Sequence, residues 1–553
     1  LVPRARLTTA PTCRLRRCGT FGADAAAQQE YPKTMPDVQP SSSPIVPAPE
    51  APPVYTHKQI LRVVTGIMLC ILLASLDQTV VIPAVPAIAS DLNAFGHLSW
   101  IVTAYLLTST AATPIIGKLS DIYGRRALLL PSLALFILAS MGCGFAQTLP
   151  QLIVSRAVQG LGGAGLFAMS QSAIADVVAP RERGRYQAYM ASMWGVSSIA
   201  GPIVGGWVTD HLSWRWVFWA NLPMGLVAIV MCNQALKLIR HQRRPARIDW
   251  AGAGLLVAAV TSWLLLLTWG GTEYPWASSP IFGLGAAGLL LLVVLVWHER
   301  RATDPILPPR LFRNGAFLRG VSIAFCTSLG LFGVTFLLPL FFQLLRGVDA
   351  SASGLLVMPY MGSNVVGAML AGNVVRRIGR VKGILVTGLS ASAVSFLGMT
   401  MMTGDTSIWL VLPCSFILGV GAGMTMPTVM MYVQNAADRG DVGAATGSLL
   451  FLRSMGGAFG STIVGTLLAM RFNAGLIAAG VTQEVDLGAL RQGAQAVAGL
   501  GVAGMAIARS ALTSGFQLGF GVCTALTVAA VVIAAGMRDS PLRSSAAPKD
   551  IGH

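Results

Sequence analysis

Charge is what this chain lacks most. Asp, Glu, Lys and Arg make up 11% of its 553 residues, against about 25% in soluble domains. Hydrophobic residues make up 54%, and the mean hydropathy is +0.66. Together these exclude a chain of soluble domains. Ligand chemistry is scarce as well, with six histidines and eight cysteines. Cys70, Cys143, Cys232, Cys326, Cys414 and Cys523 lie in apolar runs without metal-ligand spacing, so neither a zinc module nor a disulfide framework is expected. The histidines fall outside the centres of the apolar runs, which argues against a buried metal. What is abundant is glycine, 61 residues, and proline, 30, set inside apolar segments, as in membrane helices. The fold class expected is an all-α polytopic membrane protein.

The net charge of +17 could suggest nucleic acid, but the basic residues follow the loops of a membrane protein, and no nucleic-acid partner is expected. A span needs about 20 apolar residues. Fourteen candidates begin near Leu61, Ser99, Ala127, Gln151, Tyr186, Trp214, Trp250, Pro280, Gly320, Gly354, Gly383, Ser407, Gly443 and Ser514. With the N-terminus inside, most loop arginines and lysines are internal, from Lys118, Arg125 and Arg126 to Arg380, Lys382 and Arg439. The outer loops hold Arg215, Arg346, Arg471, Arg491 and Arg509. That asymmetry places both termini in the cytoplasm.

The expected organisation starts with a disordered Pro/Ser-rich tail over 1–58 and a six-helix bundle over 59–238. An inserted helix pair over 239–300 and a cytoplasmic linker over 301–319 follow. A second six-helix bundle covers 320–537, with an outer loop at about 473–512, and a cytoplasmic tail covers 538–553. Met35 is the first methionine, which leaves open whether 1–34 precede the native start.

An internal repeat supports the two bundles. Gly117 and Gly124–Arg125 of "GKLSDIYGRR" are spaced as Gly372 and Gly379–Arg380 of "GNVVRRIGR", and "QGLGGAG…PRERG" is echoed by "LGVGAG…ADRG". Internal repeats with a substrate site between them are a recurring feature of secondary transporters. Motif by motif, the chain resembles a major facilitator superfamily transporter of the fourteen-span drug:proton antiporter family. "LDQTVVIPAVPAIASDL" is similar to the family's first-span motif and "GKLSDIYGRR" to its inner-loop motif. "RAVQGLGGAG" is similar to the fourth-span motif, "GPIVGG" to the antiporter motif and "SWRWVFWANLPMG" to the start of the sixth span. Ile82 stands where many relatives have Asn. The resemblance implies two six-helix bundles plus two inserted helices. It also implies a multi-pass protein of the bacterial inner membrane.

Asp77 is the one acid deep within a span. An ionisable group at a helix centre costs about 2.5–3.5 kcal/mol on insertion scales, so it faces a cavity or a partner. Its alternatives are a structural carboxylate capped by Gln78 or Thr79, and a proton carrier; the resemblance points to the carrier. Arg156 in span 4 lies at similar depth, and the family fold brings spans 1 and 4 together. There it would stabilise ionised Asp77, with Gly160 and Gly163 leaving room beside it. "GLGGAG" fits a dinucleotide fingerprint loosely, but it lies inside a span rather than after a strand. Gly201, Pro202, Gly205 and Gly206 form a small-residue face with a kink, which the resemblance links to antiport. Arg453 is a third intramembrane charge, structural or substrate-linked. Tyr105 and Trp194 are candidates for the substrate cavity with it, as is Trp100, against an interfacial or core role.

"GKLSDIYGRR" reads as a tight inner turn in which Gly117 and Gly124 set the backbone path. Positive-inside retention accounts for Lys118 and Arg126 but does not require Asp121. An acid there can sit at a helix N-terminus of the other half, while Arg125 can meet Asp176. Gly117, Asp121, Gly124, Arg125, Arg126 and Asp176 form a candidate conformational latch. The leading function is proton-driven export of amphipathic, often cationic compounds by alternating access; the alternative is proton-coupled transport of a defined metabolite. No nucleophile–base pair or metal cluster marks an enzyme. No cofactor is expected beyond the proton gradient. The expected partners are small amphipathic molecules, protons and the lipid bilayer, and the sequence leaves a periplasmic adaptor protein open.

Overall fold

The structure, a computed structural model, describes residues 56–92, 99–180, 182–237, 248–271, 273–348, 350–478 and 502–539. Most of the expected N-terminal tail and almost all of the C-terminal tail lie outside the described residues. The first half contains α1 (His57–Asp91), α2 (Ser99–Tyr123), α3 (Arg125–Phe145), α4 (Leu149–Val177), α5 (Arg183–His211), short α6 (Arg215–Trp219) and α7 (Asn221–Leu236). The helices α8 (Trp250–Trp269) and α9 (Ser279–Glu299) and short α10 (Pro309–Arg313) come next. The second half holds α11 (Gly315–Leu340), α12 (Ala350–Ile378), α13 (Lys382–Thr400), α14 (Ile408–Ala436), α15 (Val442–Ala478) and α16 (Val502–Ala535).

Among the described residues, twelve helical segments are long and apolar enough to cross a membrane, α6 and α7 counting as one. Helices α5 and α15, with 29 and 37 residues, have the length but not the apolarity. Both pack against protein on several sides, α5 on α1 and α12, and α15 on α2, α11 and α16. Small residues serve such contacts better than large apolar ones. With these two, fourteen helical segments stand where fourteen spans were expected.

Two boundaries differ from the sequence reading. Helix α15 continues to Ala478 and α16 begins at Val502. Residues 473–478 of the expected outer loop at about 473–512 are therefore helical, and 479–501 lie outside the described residues. Residues 502–512, expected in the outer loop, are helical and continuous with the last span, and Arg509 reaches Asp405 at 2.8 Å. Arg471 and Arg509 are accordingly helical. "GKLSDIYGRR" is also less of a turn than expected. Helix α2 runs through Asp121 to Tyr123, and α3 starts at Arg125. Gly124 alone makes the reversal, at φ 92°, and its repeat counterpart Gly379 at φ 69° follows α12; L side chains rarely adopt that conformation.

Separate apolar cores form in each half. Leu73, Leu133, Phe136 and Leu166 lie at the centre of one, and Phe341, Phe396, Leu418 and Phe516 at the centre of another. Helix α8 bridges them, since Leu256 and Val260 share a cluster with Ala111 of α2 and Met455 of α15. Asp249 fixes the α8–α9 pair. Its carboxylate caps α8 by accepting from the Gly252 N–H at 2.8 Å and lies 2.8 Å from His298 Nε2.

Candidate functional site

The sequence-selected charges gather in two places. The first is buried between α1, α2, α4 and α7. Asp77 Oδ2 accepts from Arg156 Nη1 at 2.8 Å, and Asp77 Oδ1 accepts from Gln159 Nε2 at 2.9 Å and Asn221 Nδ2 at 2.7 Å. Arg156 also donates to Gln159 Oε1 at 2.8 Å and to the Ile101 carbonyl at 3.2 Å. Its guanidinium lies 4.7 Å from the Tyr105 ring centre and 5.6 Å from that of Phe218. Asp77 is 2% exposed and Arg156 1%. A buried ion pair holds together only if the remaining hydrogen-bonding positions are satisfied as well. Here three donors on two other helices close around one carboxylate.

Gln78 and Thr79 do not cap Asp77, contrary to the structural alternative above. The Thr79 hydroxyl donates instead to the Ser197 carbonyl at 2.8 Å, tying α1 to α5. Sequence reading missed Gln159, Asn221 and Ser140, which accepts from Asn221 at 2.9 Å. Their only signal is an uncharged polar group at the depth of Asp77. Gly160 and Gly163 make room for Tyr105 rather than for the guanidinium. A Cβ on Gly160 would meet Thr108 and the Tyr105 backbone, and one on Gly163 would meet the Tyr105 hydroxyl. Tyr105, 1% exposed, therefore belongs to the charge cluster. Gly162, within the loose dinucleotide match, sits mid-helix with Phe136 across from it.

The second place lies where the two halves meet, at the end of the bundle carrying Gly124 and Gly379. Asp121 Oδ1 accepts from the Gly443 N–H at 2.9 Å, and Oδ2 from the Ala444 N–H at 2.8 Å. These are free N–H groups of the first turn of α15, where the helix dipole favours an anion. Arg125 donates to Asp121 at 2.7 Å and to Asp176 at 2.8 Å, and also contacts the Ser120 hydroxyl. Gly117 is helical, and its use is close approach: a Cβ there would lie 2.6 Å from the Gly443 carbonyl oxygen. Its counterpart Gly372 meets Gly184 of α5 in the same way. Arg126 does not join the latch, because it donates to Asn233 of α7 at 2.6 Å. A link not foreseen, Arg310 to Asp441 at 2.7 Å, ties α10 to the residue preceding α15.

Of the small-residue set in α5, Gly201 and Gly205 meet Thr79 and the Val80 carbonyl of α1. Gly206 faces open space and Pro202 is exposed. Trp194 is 42% exposed, and Trp100 stacks edge-on against Trp269 of α8 at 6.0 Å. Arg453 is half-buried on α15, apart from both clusters. Among the described residues no group of three His, Cys, Asp or Glu side chains could hold a metal ion.

The Major Facilitator Superfamily profile matches residues 67–461. The chain belongs to the Major Facilitator Superfamily. It is 37% identical over 408 residues to the multidrug transporter protein MdtP of Bacillus subtilis, covering 74% of this chain and 75% of that one. It is 33% identical over 411 residues to multidrug resistance protein 3 of the same organism, covering 73% and 79%. The MFS-type transporter Rv1877 of Mycobacterium tuberculosis is 36% identical over 403 residues, and there the match covers 73% of this chain but 58% of the relative. The solved proton:xylose symporter XylE has the same fold, with a TM-score of 0.60 at 14% identity, covering 89% of this chain and 98% of that one.

Proposed function

We propose that this superfamily member is a proton-coupled antiporter that exports amphipathic compounds, cationic drugs among them, by alternating access. The observation that carries this reading is the Asp77 carboxylate, buried in the first span and held by Arg156, Gln159 and Asn221. A carboxylate is the simplest group that can take up and release a proton there, whereas arginine keeps its charge. Ionised, Asp77 ties α1 to α4 and α7. Protonated, it no longer neutralises Arg156, and the balance of contacts around the cluster changes. The names of MdtP and multidrug resistance protein 3 support drugs as cargo, and that of the similar MFS-type efflux pump LUC4 of Fusarium supports an efflux direction.

The latch supplies the conformational half of the proposal. Asp121 and the paired glycines hold the halves together at one end, and the basic loops support a cytoplasmic assignment of that end. The contacts are those of a carrier closed to the cytoplasm. The protein would then sit in a bacterial inner membrane with both termini inside, and a reporter fused after Arg543 should read as cytoplasmic. The proton gradient is the only driver the mechanism needs. Ethidium extrusion from cells overproducing the protein tests the reading: extrusion should exceed that of control cells and collapse with an uncoupler. Extrusion that survives the uncoupler would remove proton coupling.

A further inference from the structure

We infer that Arg453 forms a docking point for an acidic group, so that the transported compounds include amphipathic organic anions and zwitterions. This rests on the exporter reading above and names a substrate class within it.

Arg156 and Arg453 both lie within spans, and their surroundings differ. Arg156 has a carboxylate, an amide, a carbonyl and two aromatic faces around it. Arg453 has no hydrogen bond or ion pair among the described residues, and its electrostatic neighbour is the Tyr360 side chain of α12. It follows Val442, the start of α15, by a distance of about 17 Å at 1.5 Å per residue. That places it near the middle of a hydrocarbon core about 30 Å thick, too deep for its side chain to reach either headgroup layer. A charge in this position calls for an opposite charge or water. No acidic side chain of the described residues supplies one.

The surroundings suit a particular counter-charge. Arg453 is half-buried rather than enclosed. Gly456 and Gly457, on the next turn of α15, lie against Phe325 and Phe332 of α11, and Phe332 is 39% exposed. A planar guanidinium takes a carboxylate or sulfonate through two parallel hydrogen bonds, while the phenyl rings offer an apolar face to an aromatic body. The ligand class is an acidic head on an aromatic frame. Asp77 is not needed for this contact, so anion docking and proton binding use different residues.

Fluorescein, an aromatic dianion, and ethidium, an aromatic cation, serve as paired probes. Equilibrium binding to the purified protein is read by fluorescence anisotropy. R453Q should weaken fluorescein binding by about tenfold or more, equivalent to about 1.4 kcal/mol, and leave ethidium binding within about twofold. R453K should recover only part of the fluorescein affinity, because it keeps the charge but not the two parallel hydrogen bonds. Wild-type protein that does not bind fluorescein, or equal losses of both dyes in R453Q, would overturn the assignment. So would fluorescein binding unaffected by R453Q. Because binding needs no gradient, Arg453-dependent binding without extrusion would sink the exporter reading alone. Ethidium extrusion without Arg453-dependent fluorescein binding would sink only this inference.

Discussion

Removing the Asp121 carboxylate should open the end of the carrier that we propose faces the cytoplasm, and the structure sets the size of the effect. Asp121 makes two kinds of contact. The bond to Arg125 at 2.7 Å lies within one half and travels with that half in either conformation. The bonds to the Gly443 and Ala444 N–H groups cross between halves and exist only while this end is closed. Only a contact that differs between two states can shift their balance. Replacing a carboxylate at a helix N-terminus costs about 0.5–2 kcal/mol, typically about 1. The closed state should therefore lose about fivefold in population relative to the open one. Arg125 retains Asp176 at 2.8 Å, so the Asp121→Ala protein should still fold. Cysteine labelling from the cytoplasmic side should rise, and turnover should fall much more than substrate binding to the inward-facing form. Asp121→Glu tests geometry against charge, since the longer side chain must reach the same two N–H groups. Unchanged labelling and transport in Asp121→Ala would refute the argument.

Gly184→Val should hold the same end apart at the other seam, because a Cβ on Gly184 would lie 2.8 Å from the Gly372 Cα. Gly206→Val, with nothing within 4 Å of its Cβ, is the control, and equal labelling of the two variants would contradict the seam. At the opposite end, bonds from Arg215 and the Trp214 indole hold the Asp91 carboxyl below the usual carboxylate range. A lowered pKa stabilises the fold above the ordinary value of about 3.9, and that gain is lost as pH falls through the folded value. The pair is largely exposed, so Asp91→Asn should cost less than about 1 kcal/mol at neutral pH. Thermal unfolding of mutant and wild type should converge on acidification, and a gap that persists at low pH would argue against the ion pair.

Span positions were legible because lipid demands about 20 apolar residues in a row, a pattern local to each segment. Long-range pairings were legible only where charge made them so. Asp77 with Arg156, and Arg125 with Asp176, stand out as charges against an apolar background. Gln159 and Asn221 complete the same cluster but carry no charge, and nothing local separates them from other polar residues in the spans. In the sequence Gly117 fits a turn as well as a close contact, because glycine serves both; only the partner helix, with Gly443 opposite, distinguishes the two. Arg126 shares its charge with Arg125, yet one points to the latch and the other to Asn233. That difference is set by rotation about α3. The Val502 start of α16 was missed because glycine and alanine weaken an apolar signal without breaking a helix that packs on its neighbours.

The central claim is that Asp77 carries the coupled proton. Purified Asp77→Asn protein in liposomes tests it with two readings on one preparation: ethidium efflux driven by an imposed pH gradient, and ethidium exchange across the membrane at equal pH. Asparagine keeps the side-chain size but cannot exchange a proton. Gradient-driven efflux should therefore disappear while exchange continues, and binding should lose its dependence on pH. Gradient-driven efflux at the wild-type rate would mean that Asp77 only holds α1, α4 and α7 together and that the proton travels elsewhere.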